Sequence, residues 1–238
     1  MNPVLSIILP VLNEVGFLPD TLAGLPASPD FEIILVDGGS ADGAWELMAR
    51  WPHVRCLRTL PGRGRQMNAG ARAARGRLLA FLHADTRIGP DHLAALRQAA
   101  ADPAFAAGAF ELSLTPPLPV LRFIAGWANR RSRLLGLPYG DQFLILRRDL
   151  FYALGGFAHR RPEDLDLVLR LRRYTRLRLL RPPVASSGRR WLAEGYLATT
   201  GRHWLILVRH LAERLLTDRW PALGDLKILG EKGKGEKG

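Results

Sequence analysis

The sequence predicts an α/β protein whose mixed, mostly parallel sheet is flanked by helices. Three observations carry that expectation. Apolar, β-branched runs at residues 4–9, 31–36 and 78–82 read as strands buried on both faces. Between them lie helical patterns and glycine-rich turns, the rhythm of successive βαβ units. Each run also gives way to polar groups: Asn13 and Glu14, then Asp37, then His83, Asp85 and Thr86. In open α/β sheets, ligands bind just outside the carboxyl ends of the strands.

With 238 residues there is length for a sizeable core, and a hydrophobic fraction of 47% fits a globular chain. The single cysteine, Cys56, excludes an internal disulfide framework and fits a reducing compartment. Met1-Asn2-Pro3 leads straight into the first strand, so no leader is expected, and no apolar run reaches the ~18 residues of a spanning helix. The expected location is cytoplasmic, or peripheral on the inner face of the membrane. The net charge of +12 rests on arginine, because every lysine lies at Lys227 or beyond. A compositional bias would give the same excess. Functionally it suits a nucleotide diphosphate, a lipid phosphate or an anionic membrane surface. Neither zinc-ligand spacing nor an RNA-binding aromatic signature accompanies it, so no nucleic-acid partner is expected.

Taken in order, the first strand is expected to end at Pro10. Asn13 reads as the cap of a helix with Glu14 in its first turn and Phe17, Leu18, Leu22 and Leu25 at helical spacing. The second strand runs into Asp37-Gly38-Gly39-Ser40. Two glycines allow a sharp turn and close approach to a ligand. Ser40 or Asp42 can cap a helix over residues 43–51, whose N-terminus favours an anion. Asp37 is then placed to accept hydrogen bonds from a base or ribose, although a plain tight turn would use the same residues. A third strand is expected over 53–57. Residues 61–71 form a basic, glycine-rich loop entering a helix, without the Lys-Ser/Thr ending of a P-loop. The central strand, 78–82, ends at Asp85, a carboxylate that needs a cation or a donor.

Beyond it the pattern gives a helix over 90–101, a strand over 105–114 and a break over 115–119. Residues 118–137 mix Leu121, Phe123, Ile124 and Trp127 with Arg122, Arg130, Arg131 and Arg133, a membrane-like amphipathic pattern that a solvated face would also show. Asp141, before a strand at 143–146, would enter the cleft opposite Asp85. Pro162-Glu163-Asp164-Leu165-Asp166 opens a helix to 173, and proline followed by acids is ordinary first-turn chemistry. A short strand at 177–180, the stretch Ser186-Ser187-Gly188-Arg189-Arg190-Trp191 and an amphipathic helix over 196–216 follow. Residues 230–238 read as a disordered tail.

Ile8-Leu9-Pro10-Val11-Leu12-Asn13-Glu14, Asp37-Gly38-Gly39-Ser40, Gly64-Arg65-Gln66-Met67-Asn68-Ala69-Gly70 and His83-Ala84-Asp85 together resemble the family 2 glycosyltransferases with the A-type, Rossmann-like fold. The resemblance runs over most of residues 4–192 and is closest to the bacterial radical-SAM/selenodomain-associated transferase subgroup. It implies one domain over 1–229: a nucleotide-binding half (1–86), an acceptor and catalytic half (87–195) and a C-terminal amphipathic segment (196–229).

It further implies that Asp37 contacts the base and Glu14 lies near the nucleoside. Pro10, Asn13, Gly39, Ser40, Arg65, Asn68, His83, Ala84, Arg190 and Trp191 would complete the nucleotide-sugar site. Asp85 would bind a divalent cation, Mg²⁺ or Mn²⁺, with His83 beside it where the family usually carries the first Asp of Asp-x-Asp. Imidazole is a poorer partner for Mg²⁺ than carboxylate, though it tolerates Mn²⁺, and one carboxylate with substrate phosphates can still hold Mg²⁺. The catalytic base would come from the Glu-Asp pair: Asp164, with Glu163 or Asp166 as the fallback, and Asp141 nearby. Arg190 would pair with the diphosphate and Trp191 would pack beside the acceptor.

The implied reaction is inverting, hexosyltransferase-type transfer from a UDP- or GDP-linked sugar to an acceptor hydroxyl, lipid-linked acceptors included. A nucleotidyltransferase acting on a sugar or lipid phosphate, and a non-catalytic nucleotide- or membrane-binding protein, are the alternatives.

Overall fold

The computed structural model describes residues 3–158 and 162–217. The chain runs β1 (Leu5–Val11), α1 (Leu18–Ala23), β2 (Phe31–Asp37), α2 (Ala44–Met48), β3 (Val54–Arg58), α3 (Arg63–Ala73), β4 (Leu78–Phe81) and β5 (Thr86–Arg87). It continues with α4 (Pro90–Ala101), β6 (Ala107–Thr115), α5 (Pro119–Leu135), a 3-10 turn (Gly140–Gln142), β7 (Leu144–Arg147) and α6 (Arg148–Ala153). Then come α7 (Glu163–Leu171), β8 (Arg178–Ser187), α8 (Arg189–Glu194) and α9 (Tyr196–Thr217). One sheet holds the strands in the order β3-β2-β1-β4-β7-β6-β8-β5. The first four pair in parallel, β7 joins antiparallel to β4 and β6, and β8 lies parallel to β6.

The apolar runs are continuous because both faces of this sheet are covered. Leu5, Ile7, Leu9 and Val11 of β1 pack with Leu18 and Leu22 of α1 and Leu93 and Leu96 of α4. Ile8 points the other way, onto Met67 and Ala71 of α3 and a cluster that includes Phe151 of α6 and Leu165 of α7. A third, smaller cluster joins Leu112 and Leu114 of β6 to Leu121 and Ala125 of α5 and to Trp191 of α8. Among the described residues, no helix is long and apolar enough to cross a membrane.

Several boundaries differ from the sequence expectation, each for a local reason. β1 passes through Pro10 to Val11. The Val11 carbonyl faces β2 and the Ile8 carbonyl faces β4, so Pro10 points to the β4 side, beyond the last pair Ile8–Phe81, where no N–H is needed. β8 likewise runs through Pro182 and Pro183, because the ladder with β6 skips from Phe110–Leu180 to Leu112–Val184 and leaves the prolines in the irregularity. Asn13 does not cap α1, which begins at Leu18 behind Phe17. Its φ is +56°, its N–H donates to Ser40 Oγ (3.0 Å) and its Oδ1 accepts from Ala41 N–H (2.9 Å). The pair stitches the loop after β1 to the loop after β2.

Asp42 accepts from Ala44 N–H at the start of α2 and from Val15 N–H. The short helices α6 and α8 and the two-residue β5 have no counterpart in the sequence reading. The expected tail at 230–238 and the end of the 196–229 segment lie outside the described residues.

Candidate active site

A pocket of about 310 Å³ opens beyond the carboxyl end of β4. It brings together His83, Asp85, Asp141, Glu163, Asp164, Arg190 and Trp191 from the sequence-predicted set, along with Arg63 and Arg189.

Its floor is a buried ionic cluster. Glu163 and Asp164 open α7, where acids suit the helix N-terminus, but both are buried and therefore need a cation. Arg63, at the start of α3, supplies it: Nε donates to Glu163 Oε1 and Nη2 to Asp164 Oδ2, both at 2.6 Å. Gly140 makes the fit possible, since a β-carbon there would fall 2.3 Å from Asp164 Oδ2. Three buried atoms at this floor have no hydrogen-bond partner among the described residues: His83 Nε2, Asp141 Oδ1 and Glu163 Oε2. Burial, helped by Asp164 and opposed by Arg131, pushes the Asp141 carboxyl up to about 6. Burial and the nearby Arg63 push His83 down to about 3, so its ring is neutral at ordinary pH.

The rise at Asp141 predicts a pH-dependent gain for Asp141→Asn. From the ordinary value of 3.8 up to about 6, the folded protein binds a proton that the unfolded chain releases, so stability falls as pH rises through that window. Asparagine removes that loss. At pH 8 it should raise unfolding stability by about 1–3 kcal/mol, with the gain gone by about pH 4. Denaturant unfolding at both pH values checks this; no gain at pH 8 would mean that the carboxylate has a compensating partner.

A second ionic cluster forms around Arg189, which lines the same pocket. Arg189 of α8 holds Glu14 with two bonds, at 2.9 and 2.5 Å, approaches Asp85 at 3.4 Å and lies over the Phe17 ring. Burial raises the Asp85 carboxyl, Arg189 lowers it and Glu14 raises it again. Asp85 and Glu14 share the Arg189 guanidinium, and carboxylate oxygens are the ligands that a hard divalent cation would take there. His83 lines the same pocket as Asp85. Its charged neighbours are Arg63, Glu163 and Arg190, whereas those of Asp85 are Arg189, Glu14 and Arg190. Among the described residues, no group of three His, Cys, Asp or Glu side chains gathers around a metal position.

The remaining predicted donor contacts lie outside this pocket and are engaged within the protein. Asp37 is fully buried; it accepts from Gly39 N–H (3.1 Å) and Ser40 N–H (3.0 Å) and pairs with Arg58 at 3.3 Å. Gly39, at a φ of +95°, gives this turn its shape. Asn68 exchanges both amide bonds with the Phe157 backbone, fastening α3 to the turn before α7. Pro10 is buried in β1, the Ala84 carbonyl accepts from Thr21 Oγ1, and Arg65 is exposed, reaching the Pro61 carbonyl at 3.4 Å. Trp191 lines the pocket but donates to Thr200 Oγ1 and meets the His203 ring edge-on, tying α8 to α9.

Sequence reasoning misses Arg63 and Arg189 as site residues. Each sits inside a recognised motif, one position or two from the arginine that draws attention.

A model of the family described as "Glycosyl transferase family 2" matches residues 6–155. The undecaprenyl-phosphate 4-deoxy-4-formamido-L-arabinose transferase of Aeromonas hydrophila is 32% identical over 109 residues, which cover 41% of this chain and 33% of that protein. An uncharacterized glycosyltransferase of Mycobacterium bovis is 34% identical over 80 residues, 34% of this chain and 36% of the relative. The chain thus spans about a third of the length of these relatives. Among solved structures, a mannosyltransferase of Pyrobaculum calidifontis in complex with GDP-Man and Mn²⁺ matches with a TM-score of 0.65 at 21% identity, over 93% of this chain and 66% of that one. S. aureus TarS 1-349 in complex with UDP-GlcNAc matches at 0.61 and 16% identity, over 79% and 58%. On the family match, with a sheet and pocket built as described, the chain belongs to glycosyl transferase family 2 and has the A-type fold of these enzymes.

Proposed function

We propose that the protein transfers a sugar, with inversion, from a nucleotide-sugar to an acceptor hydroxyl in the pocket between Asp85 and Asp164. The observation that carries this reading is that one pocket holds two separately braced carboxylates: Asp85, which approaches Arg189, and Asp164, which Arg63 fixes. Asp164 is the proton acceptor. Arg63 holds its Oδ2, which fixes the side chain and leaves the other oxygen for the acceptor hydroxyl as that hydroxyl attacks the anomeric carbon.

Asp85 and Glu14 would hold a divalent cation, which supplies charge neutralisation of the donor diphosphate. Arg190 lines the pocket with no ion-pair partner among the described residues and is free to meet the departing diphosphate. Arg189 would be released to join it once Glu14 and Asp85 have another cation. Asp37, Asn13 and Ser40 shape the loops that would receive the nucleoside, and Asp37 would contact its base.

The mannosyltransferase and TarS neighbours carry GDP-Man and UDP-GlcNAc, so both nucleotides belong in the test. The resemblance to the radical-SAM/selenodomain-associated subgroup belongs to this reading too. The experiment is a calorimetric screen of UDP- and GDP-sugars with and without Mg²⁺ or Mn²⁺. Tightened binding of one donor by the cation, lost in Asp85→Asn, supports the reading. Binding of no nucleotide-sugar under any condition would overturn it.

A further inference from the structure

We propose that the outer face formed by α5 and α9 docks on an anionic lipid bilayer. On α5, residues 123, 127, 130 and 134 follow helical spacing and fall on one stripe, turned away from the buried Leu121, Ala125 and Ala128. That stripe is solvent-facing, yet it presents Phe123 (75% exposed), Trp127 and Leu134 (70%). On α9, Thr199 and Leu207 face inward, while Leu197 (90%), Trp204, Leu205 (67%) and Val208 face outward. Trp127 and Trp204 lie with ring centroids 6.4 Å apart, which sets the two stripes side by side.

A contiguous apolar patch of this kind is uncommon on a surface that faces only water. Its charge says what covers it. Residues 119–135 contain no Asp or Glu, nor do residues 196–212, while Arg122, Arg130, Arg202 and Arg209 are exposed on the two helices. Arg202 also meets Glu194 of α8. Aromatic and leucine side chains ringed by arginine suit the boundary between acyl chains and anionic headgroups, with the arginine stems lying along the apolar surface.

The same face leads to the pocket. A small cavity, about 40 Å³, is lined both by Trp127 and Trp204 and by Arg131, Tyr139 and Asp141. His203 and Ile206 of α9 border the main pocket. An acceptor carried by the bilayer would therefore reach Asp141 and Asp164 from the docked side. That consequence rests on the pocket being the transfer site; the docking itself does not.

The test uses the full chain with phosphatidylcholine vesicles, with and without phosphatidylglycerol, in a sedimentation assay, and with brominated lipid as a tryptophan quencher. Binding should require the anionic lipid, weaken with salt and quench Trp127 and Trp204 fluorescence. Phe123→Ser with Leu205→Ser should weaken it by about tenfold or more, leaving the melting temperature and nucleotide-sugar affinity unchanged. Absence of vesicle binding at low salt, or binding that the double variant leaves intact, overturns the proposal. So does a dimer, seen by sedimentation velocity without vesicles, that the same variant dissolves, because a second copy would then be the occupant. Donor affinity is read separately, so failure of docking and failure of the proposed reaction are distinguishable.

Discussion

Asp164→Asn is expected to lower turnover by about 10²–10⁴-fold, the usual share of general-base catalysis, with donor affinity unchanged. Asparagine has nearly the same shape, and its oxygen can still accept from Arg63 Nη2, which sits 2.6 Å from Oδ2. What it cannot do is take the proton from an attacking hydroxyl. A helix-capping role predicts otherwise: Pro162 occupies the cap of α7, and asparagine suits a helix start as well as aspartate does. Such a role would leave turnover intact. Asp85→Asn serves as the opposite control, because a donor-side carboxylate should cost affinity as well as rate. Steady-state rates and calorimetric donor affinities for both variants decide between these roles. An active Asp164→Asn enzyme would move the base to Asp141, whose raised carboxyl and unpartnered Oδ1 make it the next candidate in the pocket.

The parts of this molecule legible in the sequence are those set by local patterning. β1, β2 and β4 announce themselves because helices cover both faces, so an apolar–polar alternation is replaced by unbroken runs such as Ile7-Ile8-Leu9. Glu163 and Asp164 are legible as a helix start. What a one-dimensional reading could not supply is which charges meet. Arg63 lies 100 residues from Glu163, and Arg189 lies 175 from Glu14. Nothing local to either arginine reveals its partner.

Polar residues inside the motifs also have long-range partners that a local reading does not show. Gln66, inside the glycine-rich motif, donates through Nε2 to the Val11 and Val36 carbonyls at the ends of β1 and β2. Asn68 and Asp37 are likewise taken up by backbone groups that would otherwise lie buried and unpaired. Gln66 and Asp37 brace backbone near the strand ends, and Asn68 braces the turn before α7.

Arg63→Met is expected to be the most destabilising single change at the site, at roughly 2–5 kcal/mol. It removes one guanidinium and strands two carboxylates, whose side chains are 2% and 9% exposed. Charges left unpaired in such places cost more than the lost attraction alone, because water cannot replace the missing partner. Arg63 itself is one-third exposed, so some water reaches the cluster and the loss should fall short of that for a fully enclosed pair. The decisive measurement is a mutant cycle in denaturant. If the loss comes from stranded charge, adding Glu163→Gln and Asp164→Asn to Arg63→Met should restore most of the stability, although the triple variant will be inactive. If the loss comes from packing of the arginine stem, the two extra substitutions will change little. The restored fold without activity is the expected outcome: the fold tolerates joint neutral replacement of the cluster, and the proposed acceptor-side base is lost with Asp164.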